Sequence, residues 1–284
     1  MELSWLKALF LGIVQGLTEF LPVSSSGHLA VFQNIMLFEG ENLTFAILVH
    51  AATVLSILTV FGNELTKLFK GLFKFEWNRE TRYILKLLIS AVPVAIIGLL
   101  FKKYVEALFG NGLILVSIMF LCTAGILTFS HYSKPLYKHK QKHDISFKDA
   151  LIIGAAQAVA IFPGLSRSGI TIATGIFLGN KKPKVAKFSF LMLIIPILGQ
   201  TFLDLIKGSF SLKQSGIPVS SLLIGFLSAY ISGALACKWM MNLVKRGKLI
   251  NFAIYCMIAA IVAFAFHILI ISNTFVINSV NYGD

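Results

Sequence analysis

The sequence predicts an all-α integral membrane protein, an inverted-topology repeat with six transmembrane helices plus two re-entrant helical hairpins. Three observations carry this reading. Long apolar runs recur, a polar motif is written twice at a fixed offset, and the basic residues gather in a few segments.

The apolar runs set the class. Hydrophobic residues make up 57% of the chain and charged residues 13%, far from the balance of a soluble domain of this length. Runs near 43–62, 83–101, 113–130, 185–206, 219–240 and 251–271 are each close to the ~20 residues that a helix needs to cross the bilayer core. The segments between them are too short for a soluble domain, so 1–284 reads as a single membrane domain. The N-terminus has Glu2, one early base in Lys7 and no small-residue cleavage site, so a secretory signal is not expected. Cys122, Cys237 and Cys256 stand singly and read as small buried hydrophobes, with neither disulfide nor soft-metal spacing.

The motif gives the internal organisation. Gly12, Gln15, Phe20, Ser24, Ser26 and Gly27 recur, 142 residues on, as Gly154, Gln157, Phe162, Ser166, Ser168 and Gly169. The offset is half the chain, which divides it into a first repeat, 1–130, and a second, 131–284. Both copies interrupt apolar sequence with Pro, Gly and hydroxyls: Leu21-Pro22-Val23-Ser24-Ser25-Ser26-Gly27-His28, and Phe162-Pro163-Gly164-Leu165-Ser166-Arg167-Ser168-Gly169. Proline removes an amide donor and disfavours helix at the residue before it. Ser24 and Ser166 then serve as N-caps of short helices over 26–37 and 168–179. Matching broken segments in the two halves point to a binding site at the repeat interface, and two helix N-termini aimed at one centre favour an anion there.

The net charge of +13 does not indicate a nucleic-acid partner, because no recognition module accompanies it. Of the 25 bases, 18 lie in 63–82, 131–148, 180–187 and 238–250. The positive-inside rule assigns all four segments to the cytoplasm, touching anionic headgroups. Counting crossings between them leaves 149–179 to enter and leave by the cytoplasmic face, and 1–38 by the outer face. Each is therefore a re-entrant hairpin, and the two copies are inverted relative to one another.

The chemistry-bearing residues sit in the two broken segments. A carboxylate at membrane depth costs several kcal/mol unless paired or hydrated, which singles out Glu19. Arg167, far from the basic loops, offers a planar fork suited to phosphate oxygens. His28 and the run Ser24, Ser25, Ser26 allow one serine to be a nucleophile activated by His28, with the others and Gly27 binding phosphate. Ser166, Ser168 and Thr171 read as phosphate ligands from the opposite side. Gln15 lies one helical turn before Glu19, and the pair could hold a divalent cation such as Mg or Ca through oxygen. His50 and His267 lie inside apolar runs and read as core residues; His131, His139 and His143 read as solvated.

The segment Gln15-Gly16-Leu17-Thr18-Glu19-Phe20-Leu21-Pro22-Val23-Ser24-Ser25-Ser26-Gly27-His28 closely resembles the first signature of the bacterial undecaprenyl-diphosphate phosphatases of the bacitracin-resistance family. Pro163-Gly164-Leu165-Ser166-Arg167-Ser168-Gly169-Ile170-Thr171 resembles the second, and Phe188-Ser189-Phe190-Leu191 and Phe252-Ala253-Ile254-Tyr255 are similar to family stretches as well. The resemblance implies hydrolysis of a polyprenyl diphosphate lipid to the monophosphate carrier of cell-wall synthesis. It also implies dependence on a divalent cation, residence in the bacterial inner membrane and a site open to the outside. Carried over by motif position, Glu19, His28 and Arg167 form the catalytic set, with Ser25 as the nucleophile candidate. The chain departs from the family at Gln15, where many members have Glu, and at His50, where an amide is expected. A polyprenyl-phosphate flippase using the same headgroup ligands is the rival reading. A carrier needs binding groups but no nucleophile beside a carboxylate. Serine or water as the nucleophile, prenyl length, and monomer or homodimer stay open.

Overall fold

A computed structural model of the chain describes residues 3–36, 43–101, 112–133, 144–206, 216–247 and 249–281. Regular structure among them is helical: α1 (Trp5–Phe20), α2 (Ser25–Ile35), α3 (Leu43–Val60), α4 (Gly62–Leu72), α5 (Arg79–Leu100), α6 (Gly112–Tyr132), α7 (Phe147–Val159), α8 (Arg167–Phe177), α9 (Lys182–Ile206), α10 (Val219–Lys245) and α11 (Ile250–Asn281). Five helices are long and apolar enough to cross a membrane, or six if α3 and α4, bent by 79° at their junction, count together. Large apolar side chains stand open on their outer faces, among them Leu99, Phe202, Leu235 and Ile261. Such a belt on so apolar a chain is the surface of a multi-span membrane protein.

The six expected runs correspond to α3, α5, α6, α9, α10 and α11. One expectation needs correction: 63–82 is not simply a loop, because it contains most of α4. Another concerns the thiols: Cys237 and Cys256 are buried, but Cys122 is exposed on the apolar surface, and all three are free. Lys134, Lys138, Lys140, Lys142, Lys248, His139 and His143 lie outside the described residues.

Both broken segments become short helices of the expected kind. Leu21, held before Pro22, is extended and ends α1. Ser24 accepts the Gly27 amide at the start of α2, and Ser166 the Gly169 amide at the start of α8. In each hairpin a longer helix (α1 or α7) is followed by an eleven-residue one (α2 or α8).

The halves of the chain are built into one another. Hairpin helix α1 packs on α10 of the second half, and α7 packs on α5 of the first; α3 meets α10, α9 meets α5, and α6 meets α11. The α1–α10 seam depends on small residues. A Cβ on Gly16 would strike the Ala229 carbonyl and stand 2.7 Å from the Gly233 amide. Next to this seam Phe20, fully buried, meets Phe190 of α9 edge-on at 5.5 Å and closes the main apolar core.

Ion pairs join the described parts of three basic segments at one end of the bundle. Asp144 takes Lys184 at 2.7 Å and Arg79 at 3.2 Å, and Glu64 takes Lys187 at 2.8 Å. The hydrogen bond from Lys184 is the main cause that holds the Asp144 carboxyl below its usual range. A depressed folded value means that the contribution is present above the ordinary carboxylate pKa and is lost as pH falls through the lowered one. Solvent around these exposed groups keeps it small.

The seam yields a stability prediction. Gly16→Val should destabilise the fold by ~1–3 kcal/mol or more through overpacking against backbone, read as a lower thermal midpoint in detergent. Gly98→Val should have little effect through packing, since nothing lies within 4 Å of a Cβ there.

Candidate active site

The two hairpins meet tip to tip. Gly27 and Gly164 form the contact: a Cβ on Gly27 would stand 2.9 Å from the Gly164 Cα. Gly164 has φ +95°, a conformation open to glycine. The Gly164 amide donates to Ser26 Oγ at 3.5 Å, and Ser168 Oγ donates to the Leu21 carbonyl at 3.0 Å. Thr123 of α6 secures the second tip, donating to the Gly164 carbonyl at 3.3 Å and accepting the Ser166 amide at 3.1 Å.

Glu19 lies at the centre, with 2% of its side chain exposed. Arg167 Nη2, from the other hairpin, donates to its Oε1 at 2.6 Å, while Ser25 Oγ donates to its Oε2 at 2.5 Å. Gln15 Nε2 donates to the same Oε2 at 3.0 Å. Charge-assisted bonds of this kind satisfy a buried carboxylate that would otherwise be costly. Arg167 and Ser25, 142 positions apart in sequence, thus share one carboxylate. A hydroxyl donating to a buried carboxylate, with a guanidinium beside it, can deliver an oxygen nucleophile to an anionic centre.

His28 has a different place from the one expected. The Ser24 carbonyl, 2.7 Å from Nδ1, can only accept, so Nδ1 carries the proton. In the neutral ring Nε2 then accepts from the Tyr255 hydroxyl at 2.7 Å, and the two rings stack with centroids 5.5 Å apart. The geometry therefore gives the contact with Ser25 to Glu19, not to His28. Tyr255, on α11, is a site residue that sequence reasoning did not single out. Its one signal was the family-like stretch around it.

His50 is the second residue missed. It lies not in the core but with Nε2 3.9 Å from Glu19 Oε2. Its place inside an apolar run gave no indication of this; the one signal was that it stands where the family resemblance leads one to expect an amide.

The hydroxyls of the second hairpin are committed to structure. Ser166 caps α8, Ser168 is tied to Leu21, and Thr171 donates to the Arg167 carbonyl at 2.8 Å and pairs with Ser189 at 2.5 Å. In this arrangement Arg167, with 28% of its side chain exposed, is the donor of that hairpin best placed to meet an anion. On the first hairpin Ser26 is half-exposed. Ser24 has φ +70°, a left-handed backbone rare for a non-glycine residue, of the kind that stores ~1–3 kcal/mol at functional sites. Helix geometry leaves the first amides of α2 without intrahelical partners.

Gln15 and Glu19 do not fit a cation centre. Both Glu19 oxygens already accept hydrogen bonds, one from a guanidinium, and Gln15 presents its N–H to the carboxylate and leaves a single buried, unpartnered oxygen. A hard cation takes about six or more oxygen ligands. Among the described residues no group of three His, Cys, Asp or Glu comes together to supply them.

This geometry predicts asymmetric stability effects. Arg167→Ala leaves the Glu19 charge buried and uncompensated, and should cost ~3–5 kcal/mol in thermal unfolding. Adding Glu19→Gln should recover part of the loss. Additive losses in that double-mutant cycle would mean that the two side chains are not coupled.

A family model described as bacitracin resistance protein BacA matches residues 8–262. The chain is also similar to proteins named undecaprenyl-diphosphatase. That of Parabacteroides distasonis is 57% identical over 93% of this chain and 98% of the relative. The one from Christiangramia forsetii is 46% identical over 91% and 97%, and that of Korarchaeum cryptofilum is 37% identical over 90% and 96%.

Proposed function

The chain belongs to the bacitracin-resistance protein BacA family, and from this membership we propose that it hydrolyses undecaprenyl diphosphate to undecaprenyl phosphate and inorganic phosphate. The product is the lipid carrier of cell-wall synthesis. The observation that carries the chemistry is Glu19 clasped between Ser25 of its own hairpin and Arg167 of the other. A carrier has no use for a hydroxyl poised on a buried carboxylate, and nothing in the geometry favours flipping over hydrolysis.

The terminal phosphate lies between the hairpin tips, held by the remaining donors of Arg167, by the Ser26 hydroxyl and by the Ser25 and Ser26 amides at the start of α2, the Gly27 amide being taken by Ser24. As the nucleophile attacks phosphorus, Glu19 accepts its proton. The bond from phosphorus to the bridging oxygen breaks, and the electron pair leaves with the lipid monophosphate. If Ser25 attacks, water then hydrolyses the phosphoserine; if water attacks, Ser25 orients it. Arg167 stabilises charge on the equatorial oxygens. His28, fixed by Ser24 and Tyr255, lines the approach.

The architecture behind this is an inverted repeat of 1–130 and 131–284 with two re-entrant hairpins. The reciprocal packing of α1 on α10 and α7 on α5 supports it. The positive-inside rule supports a cytoplasmic place for the joined basic segments, and on this reading the site opens to the outer face of the inner membrane. The prenyl tail and bilayer lipid cover the exposed apolar faces.

Two experiments follow. Purified protein should release phosphate from undecaprenyl diphosphate. Arg167→Lys should lose about tenfold or more, since one ammonium cannot replace a fork whose charged hydrogen bonds are worth ~1.5–3 kcal/mol. Ser25→Ala should lose orders of magnitude if the serine attacks, and about tenfold if water does. For orientation, Ser220→Cys should react with an impermeant thiol reagent on intact spheroplasts, and Lys70→Cys should be protected. The reverse pattern would invert the topology.

A further inference from the structure

We propose that this site works without a divalent cation, against the dependence that the family resemblance implies, and that Gln15 and His50 are the residues that make it so. The inference rests on the diphosphatase reading above and deepens it.

Three contacts meet on one carboxylate oxygen. Glu19 Oε2 takes the Ser25 hydroxyl at 2.5 Å and the Gln15 side-chain N–H at 3.0 Å, which uses both of its lone pairs. His50, on α3, brings Nε2 to 3.9 Å from the same atom. Its Nδ1 is held by the Ala46 carbonyl at 2.8 Å. Gln15 and His50 are also the two positions at which the chain departs from the family pattern. They lie on different helices, yet both departures converge on this oxygen.

Each departure removes an oxygen ligand. A carboxylate at 15 and an amide at 50 would both offer oxygen, which Mg and Ca require. Gln15 offers a donor instead, and His50 a nitrogen. With Arg167 on Oε1 at 2.6 Å, Glu19 keeps a single lone pair, on Oε1. Only 2% of its side chain is exposed, which leaves little access for the water that completes the shell of such an ion.

Charge explains how the reaction tolerates this. Two carboxylates beside one guanidinium would set a net negative charge in the path of an anionic headgroup, and a cation would have to offset it. Glu19 and Arg167 alone cancel, and Gln15 adds no charge. The headgroup then meets a neutral pair, the open side of the Arg167 fork and the N-terminus of α2, and the last two favour an anion.

The test compares wild type with the double variant Gln15→Glu/His50→Gln, purified in Ca and then chelated. Wild type should release phosphate from undecaprenyl diphosphate at the same rate in EDTA as in Mg or Ca. Its thermal midpoint without substrate should not respond to either ion at constant ionic strength. The double variant, with both oxygen ligands restored, should gain a saturable rise of the midpoint and a rate about tenfold or more higher with the ion than in EDTA. Wild-type turnover abolished by EDTA and restored by Mg or Ca would overturn the proposal. So would a saturable rise of the wild-type midpoint that Glu19→Gln removes, or a folded double variant indifferent to both ions. If the double variant does not fold, the two wild-type measurements decide. Wild-type protein that releases no phosphate in any of these conditions would instead overturn the diphosphatase reading, and the midpoint without substrate would still test the cation claim.

Discussion

A carboxylate enclosed in an apolar helical protein has to be neutralised by a cation that reaches it. For Glu19 that partner is Arg167, from the opposite half of the chain, at 2.6 Å. This one ion pair constrains much of the rest. The buried charge of the first hairpin is neutralised from the second, so the first requires the second. The tips must then come within backbone contact, which is why glycines stand at 27 and 164. A pair of this kind contributes little net stability over an apolar core, but breaking it is costly. It therefore favours one arrangement of the hairpins over alternatives.

The helices around the hairpins hold that arrangement in register. Small residues let α1 lie almost backbone to backbone on α10, and Gly154 of α7 lies as closely on Ser90 of α5. Phe20, next in sequence to Glu19, is anchored in the core against Phe190. The carboxylate is thus placed by a rigid neighbour rather than by a loop. Ser25, at the first turn of α2, meets it from the far side of the Pro22 break. The same break that ends α1 turns the chain back so that residues six apart can share a proton.

Local signals were legible in the sequence wherever the physics is local. Apolar runs located the spans, and Pro with hydroxyls located the breaks. Ser24 and Ser166 cap helices that begin one residue before the expected starts. The 142-residue offset brought Glu19 and Arg167 into one site before any contact was known. What could not be read depends on contacts between distant elements. His28 was paired with Ser25 by proximity in sequence, yet its ring is bound by Tyr255, 227 residues away. His50 resembled a core residue because periodicity cannot show which face of α3 meets α1. Ser168 and Thr171 were taken for ligands by residue type, but their hydroxyls are used inside the fold. The bend that turns α4 away from α3 was hidden by basic residues that also suit a loop.

The central claim is that one phosphate site is completed by both halves of the chain around Glu19. The most direct measurement is an experimental structure with a methylene-bridged, non-hydrolysable polyprenyl diphosphate. The account predicts the terminal phosphate between the hairpin tips, in contact with Arg167 and with Ser25 or Ser26 at once. A headgroup bound by one hairpin alone, with the Arg167–Glu19 pair untouched, would contradict it.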